Sequence, residues 1–449
     1  MCYNFLMNIA VIGGGITGLT AAYSLSKIGH NVTVFEKEPA LGGLASGFRQ
    51  PDWNWQLEKT YHHLFANDNI AFDLLDQLDL LDKLIIKRPI TANLVHLPVA
   101  HNLQSQIFPF DSPLNLLQFT PLPFFDRLRT GALAVLCKTY PHNICGIPVW
   151  KLLEHLTAKN LIRCVAGSAS WQTVWEPLLY GKFGGYAHSV SAAWFWARIK
   201  KRTPKLLYIE GGFQTLIDAL AKGIKERGGT INTGIQLVKL DKLVKLDQFH
   251  LTFAHGKKQH LFDRVLLTVP TTIAANLIPD LAFIIGHLAL NIPHLHAQTL
   301  ILETKEPILK NVYWLNILDR SFPFLAVVAH TNFMDKKYYG GRHLTYFGNY
   351  LPDNHPYLKM NAKQLYTLFL PFIKKVNPNF HSSFIIHHSS FIGWNAQPVH
   401  ELHYSSSAPK LATTIPNVYL SNMDSIVPWD RGINYAIELG QKAAKKILE

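Results

Sequence analysis

Cysteine is nearly missing from this 449-residue sequence: there are four, Cys2, Cys137, Cys145 and Cys164, with no CxxC pair and none after Cys164. That excludes a disulfide framework and a CxxC zinc site, and points to a reducing compartment. No long basic run exists either. The net charge of +13 comes from scattered pairs such as Lys257/Lys258, Lys336/Lys337 and Lys374/Lys375. Without a binding motif to accompany it, this charge sets nucleic acid aside as a partner. A solvated basic surface is the first reading, and attraction to anionic lipid or an acidic substrate the second. Long apolar runs are also wanting. The longest stretch free of Asp, Glu, Lys and Arg, 281–302, is broken by Asn291, Pro293 and three histidines, which fits buried structure better than a membrane span. The opening MCYNFLMN has no basic start, apolar core or cleavage site, so it does not read as a signal peptide. The expected location is cytoplasmic.

What is present is enough apolar residue, 48%, for large cores and more than one domain. Residues 8–37 read as strand, glycine turn, helix and strand: NIAVIG is a short apolar run, Leu19, Ala22, Tyr23 and Leu25 keep helical spacing, and NVTVFEK alternates. A second regular block begins at 211, where Phe213, Leu216, Ile217, Leu220 and Ile224 line one helical face; TINTGIQLVKL, a hairpin around AHGKK and the strand RVLLTVP follow. A third pairs the strand NVYLSN with a helix carrying Ile433, Ala436, Ile437, Gly440, Ala444 and Ile447. The regions between are richer in aromatics and proline. The expected organisation is therefore an α/β nucleotide-binding domain from 1–65, 206–275 and 395–449, with an α+β substrate domain from 66–205 and 276–394 inserted twice. Within the insertion, the apolar residues of 107–136 are broken by prolines and read as the wall of a substrate cavity, with peripheral membrane contact as the second option.

Gly13, Gly15 and Gly18 form GxGxxG between the first strand and helix, and Glu36 ends the second strand. In such a βαβ unit the first glycine permits the turn, the second lets backbone N–H groups reach a pyrophosphate, and the third lets helix and strand pack closely. A carboxylate at Glu36 accepts from ribose hydroxyls and repels a 2′-phosphate. Another glycine pair, Gly42/Gly43, follows in EKEPALGGLASGF, putting more bare backbone beside an extended cofactor. Candidate contacts here are Gly13, Gly15, Ile16, Thr17, Gly18, Glu36, Lys37, Gly42, Gly43 and Leu44.

With these motifs the chain resembles the FAD-dependent superfamily of amine oxidases, protoporphyrinogen oxidases and carotenoid desaturases. The resemblance implies a Rossmann-like FAD domain assembled from three segments with an inserted substrate domain. It also implies that the backbone near Ile235 faces the adenine, that Asp424 in NVYLSNMDSIVPWDRGINYAIELGQKAA takes the place of the acid at the ribityl chain, and that Arg431, Gly432 and Ile433 open the closing helix toward the flavin carbonyls. Asn422 stands where many members have glycine. The runs YHHLF, EPLLYGKFG, YWLNILD and HTNF are most similar to the bacterial protoporphyrinogen-oxidase-like group, although Ala329 replaces the acid expected before HTN. The family's flavin tether is a C-terminal cysteine, so its absence here implies noncovalent FAD, with a covalent histidyl link as the open alternative. No second GxGxxG follows a strand, leaving oxygen or a quinone as electron acceptor rather than a dedicated NAD(P)H site.

In such chemistry the flavin takes the hydride, and the protein orients the C–H bond and manages protons. His62 and His63 follow the first FAD segment and are the candidate proton acceptors near neutral pH; structural histidines are the alternative. Arg431 is the candidate to stabilise reduced flavin or bind a substrate carboxylate or phosphate, with an Asp430/Arg431 helix cap as the alternative. Trp394 and Trp429 are candidate walls, and Lys182 reads first as a surface or hinge residue. The expected function is dehydrogenation of a bulky, apolar or amphipathic small molecule. Two alternatives stand beside it: a flavin-dependent mutase similar to UDP-galactopyranose mutase, with Arg127, Arg129, Arg198 and Arg202 as diphosphate candidates, and a noncatalytic flavoprotein scaffold.

Overall fold

In the computed structural model, residues 6–99, 102–243, 247–254, 258–278 and 290–449 are described. The first half contains β1 (Asn8–Ile12), α1 (Ile16–Lys27), β2 (Asn31–Phe35), β3 (Ile90–Val99), β4 (Asn102–Pro109), α2 (Phe124–Thr139), α3 (Glu176–Phe183), α4 (Ala192–Lys201) and α5 (Gln214–Glu226). The second contains β5 (Thr230–Asn232), β6 (Arg264–Leu267), β7 (His294–Thr304), β8 (Val312–Ile317), β9 (Ala326–Ala329), β10 (His343–Leu351), β11 (Ile385–Pro398), β12 (Val418–Leu420) and α6 (Ile433–Leu448), with shorter elements between.

Two sheets organise the molecule. A five-stranded sheet in the order β5-β2-β1-β6-β12 pairs parallel throughout, with Ile12 beside both Phe35 and Leu267. Its strands are short apolar runs because both faces are covered. One face packs on α1, α5 and α6 through Leu19, Leu216, Leu220 and Ile437; on the other lie Ala10, Phe35, Val265 and Leu267 against Leu251 and Phe253. Phe253 belongs to an antiparallel trio, Leu237–Leu243, Gln248–Phe253 and Lys258–Phe262. The turn expected at AHGKK falls on residues 255–257, outside the described residues.

The second sheet has seven strands in the order β11-β7-β10-β9-β8-β3-β4, antiparallel except for the parallel β8/β3 pair. Leu300, Leu302, Leu315, Val327 and Phe347 meet Phe369 and Ile373 of the amphipathic helix Ala362–Val376 on one face. Helices α2, α3 and α4 form a separate cluster with Trp171, Trp194, Phe195 and Trp196 at its centre. Among the described residues no helix is long and apolar enough to cross a membrane. Residues 281–289 of the uncharged stretch lie outside the described residues; its end, His294–Leu302, is in β7.

Candidate active site

The site is built where three parts of the chain meet at the carboxyl ends of the parallel strands, the usual location for ligands in such sheets. After β1 the chain turns at Gly13, whose φ of 113° and 2.5 Å approach of any Cβ to Thr268 Oγ1 demand glycine. A Cβ at Gly18 would run into the Gly13 carbonyl oxygen, so α1 can begin this close to the turn only without a side chain there. At Gly15, by contrast, a Cβ would meet nothing within 4 Å. Gly15 caps α1 without a side-chain hydrogen bond, and no acid lies in the first turn. The first N–H groups of the helix, at Ile16, Thr17 and Gly18, have no intrahelical acceptor, so open space, free donors and a helix dipole coincide.

The other predicted cradle residues gather here. The Gly42 N–H donates to the Gly14 carbonyl at 2.8 Å, and Gly15 and Gly42 form a parallel bridge. Glu36 is buried at the tip of β2, where its Oε2 accepts from the Gly14 N–H at 2.7 Å and its Oε1 from the Glu38 N–H at 2.8 Å. Ile235 is tied to Glu36 by its own N–H, 2.9 Å from the Glu36 carbonyl. Lys37 is exposed and pairs with Glu38 at 3.5 Å, turned to the adjacent acid. Leu44 touches the second sheet: its carbonyl accepts from Thr60 Oγ1 at 3.0 Å, and a Cβ on Gly393 would lie 2.8 Å from its Cδ2.

Asp424 follows β12 and is buried, but its carboxylate is already engaged. Oδ2 accepts from Thr271 Oγ1 at 2.5 Å, and Oδ1 faces His294 Nε2 at 2.6 Å. Although burial pushes its pKa up, the hydrogen bonds and the charge of His294 win and lower it, while raising that of His294. Asn422 sets this geometry: its Oδ1 accepts from the Asp424 N–H at 3.0 Å and its Nδ2 donates to the Val269 carbonyl at 2.8 Å.

Beyond the cradle Tyr61, His62, His63, Lys182, Tyr350, Gln397, Asp430 and Arg431 form one interacting cluster, called the chamber below for the substrate space it is proposed to border. Asp430 accepts from Lys182 Nζ at 3.2 Å, from Trp194 Nε1 at 3.2 Å and from Arg198 Nη1. Those cations hold its carboxyl far below the usual range against the effect of burial. Arg431 turns elsewhere, donating from Nε to Gln397 Oε1 at 2.9 Å and from Nη2 to Tyr350 Oη. Tyr61 covers the bare face of Gly348, where a Cβ would sit 2.6 Å from its hydroxyl oxygen.

Three expectations are corrected here. Asp430 and Arg431 do not cap α6: Gly432 is the N-cap, with no side-chain bond, and burial draws Asp430 to Lys182 and Arg198 instead. Lys182 is not a surface lysine; its side chain is 12% exposed and bound to a residue 248 positions away. His62 and His63 are not poised near neutral pH. Burial first, then the charge of Arg431, lowers His62 to about 4; burial, then Arg202, lowers His63 to about 3. Both are neutral at pH 7. His62 Nδ1 lies 2.7 Å from the Thr60 carbonyl, which can only accept, so Nδ1 carries the hydrogen and Nε2 is left as an acceptor.

Other candidates separate from the site. Trp429 stacks between Trp196 and Tyr435, whereas Trp394 is 54% exposed and packs on His296. Arg127 and Arg129 spend their guanidinium groups on backbone carbonyls of Leu122, Leu117, Val165 and Cys164, away from the chamber. Residues 107–136, expected to wall the cavity, instead leave Leu114, Phe124, Phe125, Leu128 and Val135 exposed. Ala329 ends β9, and His330 beyond it is buried against Tyr339 at 2.7 Å and lowered to about 3 by burial.

The sequence reading missed Glu58, two residues before Thr60. It is buried among Tyr208, whose hydroxyl donates to it at 2.8 Å, and the Phe213 N–H at 2.7 Å. Burial raises its pKa from 4.5 to about 7. Glu58 carries little sequence signal, since it stands beside Lys59 in DWNWQLEKTYHHLF, where polar residues are interspersed with aromatic ones. The native state therefore holds this proton more tightly than the unfolded chain, so the stability it provides is full below pH 4.5 and is lost as pH rises through about 7. Urea unfolding of the parent and of Glu58→Gln from pH 5 to 8 should diverge, the parent losing up to about 3 kcal/mol relative to the variant.

A family model described as flavin containing amine oxidoreductase matches residues 16–448. The chain belongs to this family. The family is flavin-containing, and the open end of α1 with its free donors fits a flavin dinucleotide's pyrophosphate. Among flavin amine oxidoreductases and their kin, a probable zeta-carotene desaturase of Synechococcus elongatus is 26% identical over 189 residues, 39% of this chain and 37% of that protein. The alignment thus spans little more than a third of that relative. Over whole chains, a crystal structure of a putative protoporphyrinogen oxidase from Exiguobacterium sp. 255-15 superposes with a TM-score of 0.74 at 19% identity, covering 98% of each chain. A reduced UDP-galactopyranose mutase superposes with a TM-score of 0.72 at 15% identity, covering 98% of this chain and 95% of that one. At those identities the match is of fold: the two-domain α/β flavoprotein fold.

Proposed function

We propose that the chain holds FAD noncovalently between the α1 cradle and the N-terminus of α6, and dehydrogenates a bulky, largely apolar or amphipathic small molecule, with oxygen or a quinone as final acceptor. The observation that supports this reading is the open end of α1 at Gly15, where space and N–H donors coincide, with neutral His62 and the Tyr350-bound Arg431 clustered beyond it. FAD, when bound, supplies the hydride acceptor. Around it Gly13, Gly15, Gly18 and Gly42 give backbone access, Glu36 is placed for the ribose, Arg431 brings positive charge toward α6, and His62 Nε2 offers an acceptor to a substrate or ring N–H without carrying charge. Trp194, buried against Lys182 and Asp430, keeps water from that cluster. A noncovalent cofactor accords with the described cysteines: Cys145 and Cys164 are exposed, and burial pushes the Cys137 thiol up to about 12. The exposed apolar residues of 107–136 support peripheral contact with the inner face of the cell membrane.

A mutase reaction is the second reading, favoured by Arg198 and Arg202 beside the chamber. Anaerobic mixing separates the two. An oxidoreductase bleaches its flavin with substrate in stoichiometric turnover, and this is the expected result; a mutase works only after prereduction and shows no net redox, which would replace the proposal.

A further inference from the structure

We propose a second catalytic site, separate from the chamber: Ser105 as nucleophile, His96 as its base and Asp319 as the acid that orients the base hydrolyse small carboxylic esters at the open edge of the seven-stranded sheet.

The first observation is the arrangement around one imidazole. His96 on β3 stands directly across from Ser105 on β4 in the antiparallel register, and Ser105 Oγ lies 3.0 Å from His96 Nε2. Asp319, two residues past β8, meets the other ring nitrogen, with Oδ2 2.6 Å from Nδ1. A carboxylate can only accept, so its charge favours the hydrogen on Nδ1 and leaves Nε2 to accept from the serine hydroxyl. That tautomer is the one a base needs to activate a serine. Asp319 is itself held, its Oδ1 accepting from the Ser321 N–H at 2.8 Å and its Oδ2 from the Ser321 hydroxyl at 2.7 Å. It lies off the line of the Nδ1–H bond, so it acts on the ring through its charge rather than through a straight hydrogen bond. The Phe322 ring packs on the imidazole at 5.7 Å between centroids.

The second observation is access. β4 is the outer strand of its sheet, so alternate N–H groups along it turn away from β3 and have no ladder partner among the described residues. One of the adjacent pair Ser105 and Gln106 therefore turns its N–H outward. That donor, within one residue of the nucleophile, is available to the charge that grows on an ester carbonyl oxygen. The His96 and Asp319 side chains are 16% and 23% exposed, and Ser105 is half-buried. Ile107 shares the face of Ser105 by strand alternation and is exposed, which gives a short acyl chain an apolar surface to lie on. The flavin cradle touches β11 at the opposite edge of the sheet, roughly 30 Å away at ordinary strand spacing.

In the reaction, Ser105 Oγ bonds to the ester carbonyl carbon as its proton passes to His96 Nε2. The bond to the alcohol oxygen breaks, and the alcohol leaves with that proton. Water then attacks the acyl-serine, giving a proton through His96 to Ser105 Oγ as the carboxylic acid departs.

The test uses the purified protein with p-nitrophenyl acetate, and separately with a fluorophosphonate that a reactive serine attacks with loss of fluoride, followed by peptide mass mapping. The expected result is saturable ester hydrolysis and a phosphonate on Ser105, a readout that needs no variant. In Ser105→Ala and in His96→Gln, kcat/KM should fall about a hundredfold or more, and the double variant should be no worse, because the two residues act as a unit. Asp319→Asn should lower kcat with little change in KM, since Asp319 positions the ring and does not touch the ester. Urea midpoints at the parent value show that these variants are folded. Hydrolysis that survives in Ser105→Ala, a phosphonate on another residue or on none, or losses that multiply in the double variant overturn the proposal.

Discussion

Asparagine in place of Asp430 will destabilise the protein by on the order of 3–5 kcal/mol, measured as a fall in the urea midpoint at pH 7. The carboxylate is the shared partner of Lys182, Arg198 and Trp194, and is enclosed by them. Removing its charge strands at least two cations where water cannot solvate them fully. Part of the loss should return when Lys182→Met is added to Asp430→Asn, since one of the stranded charges goes with it. A loss below about 1 kcal/mol would mean that the cluster is solvated like a surface ion pair, and the chamber's electrostatics as described would be wrong.

The second large effect separates folding from cofactor binding. Gly15→Ala should fold with an almost unchanged urea midpoint, because Gly15 has φ −76° and ψ 177° and its added methyl would meet no protein atom within 4 Å. The same variant should lose FAD, with affinity down more than about a hundredfold, because the methyl occupies the space that backbone N–H groups need to approach the pyrophosphate. Gly18→Ala should fail in both respects, since its methyl strikes the Gly13 carbonyl oxygen. Flavin content and urea unfolding measured on the same preparations read the contrast. A Gly15→Ala protein that keeps its flavin would put the pyrophosphate elsewhere.

The parts legible in the sequence are those whose signal is local. β1, α1 and β2 follow from thirty residues of alternating periodicity around a glycine turn, and α5 from Leu216, Ile217, Leu220 and Ile224 on one face, all of them buried. α6 was equally clear. The chamber was only partly legible, because its residues act through partners hundreds of positions away. Lys182 looks like a surface lysine until α3 carries it to Asp430, and His62 looks like a base until burial and Arg431 take away its charged form. Asp430 at the head of a helix has the local appearance of a cap, but three distant donors compete for it and win. Glu58 carries no motif at all; its raised pKa comes from burial, which outweighs the lowering by the hydrogen bonds from Phe213 and Tyr208. The apolar run 107–136 misled in the opposite direction, since hydrophobicity alone did not say which side of it the protein would cover.

If the cradle at α1 holds FAD and no covalent bond retains it, acid or heat precipitation of the purified protein frees the cofactor for chromatography of the supernatant. The expected result is a yellow protein that releases one equivalent of intact FAD per chain and returns to colour when FAD is added back. Colourless protein that cannot be reconstituted with FAD, flavin that stays with the precipitate, or selective binding of NAD would contradict it.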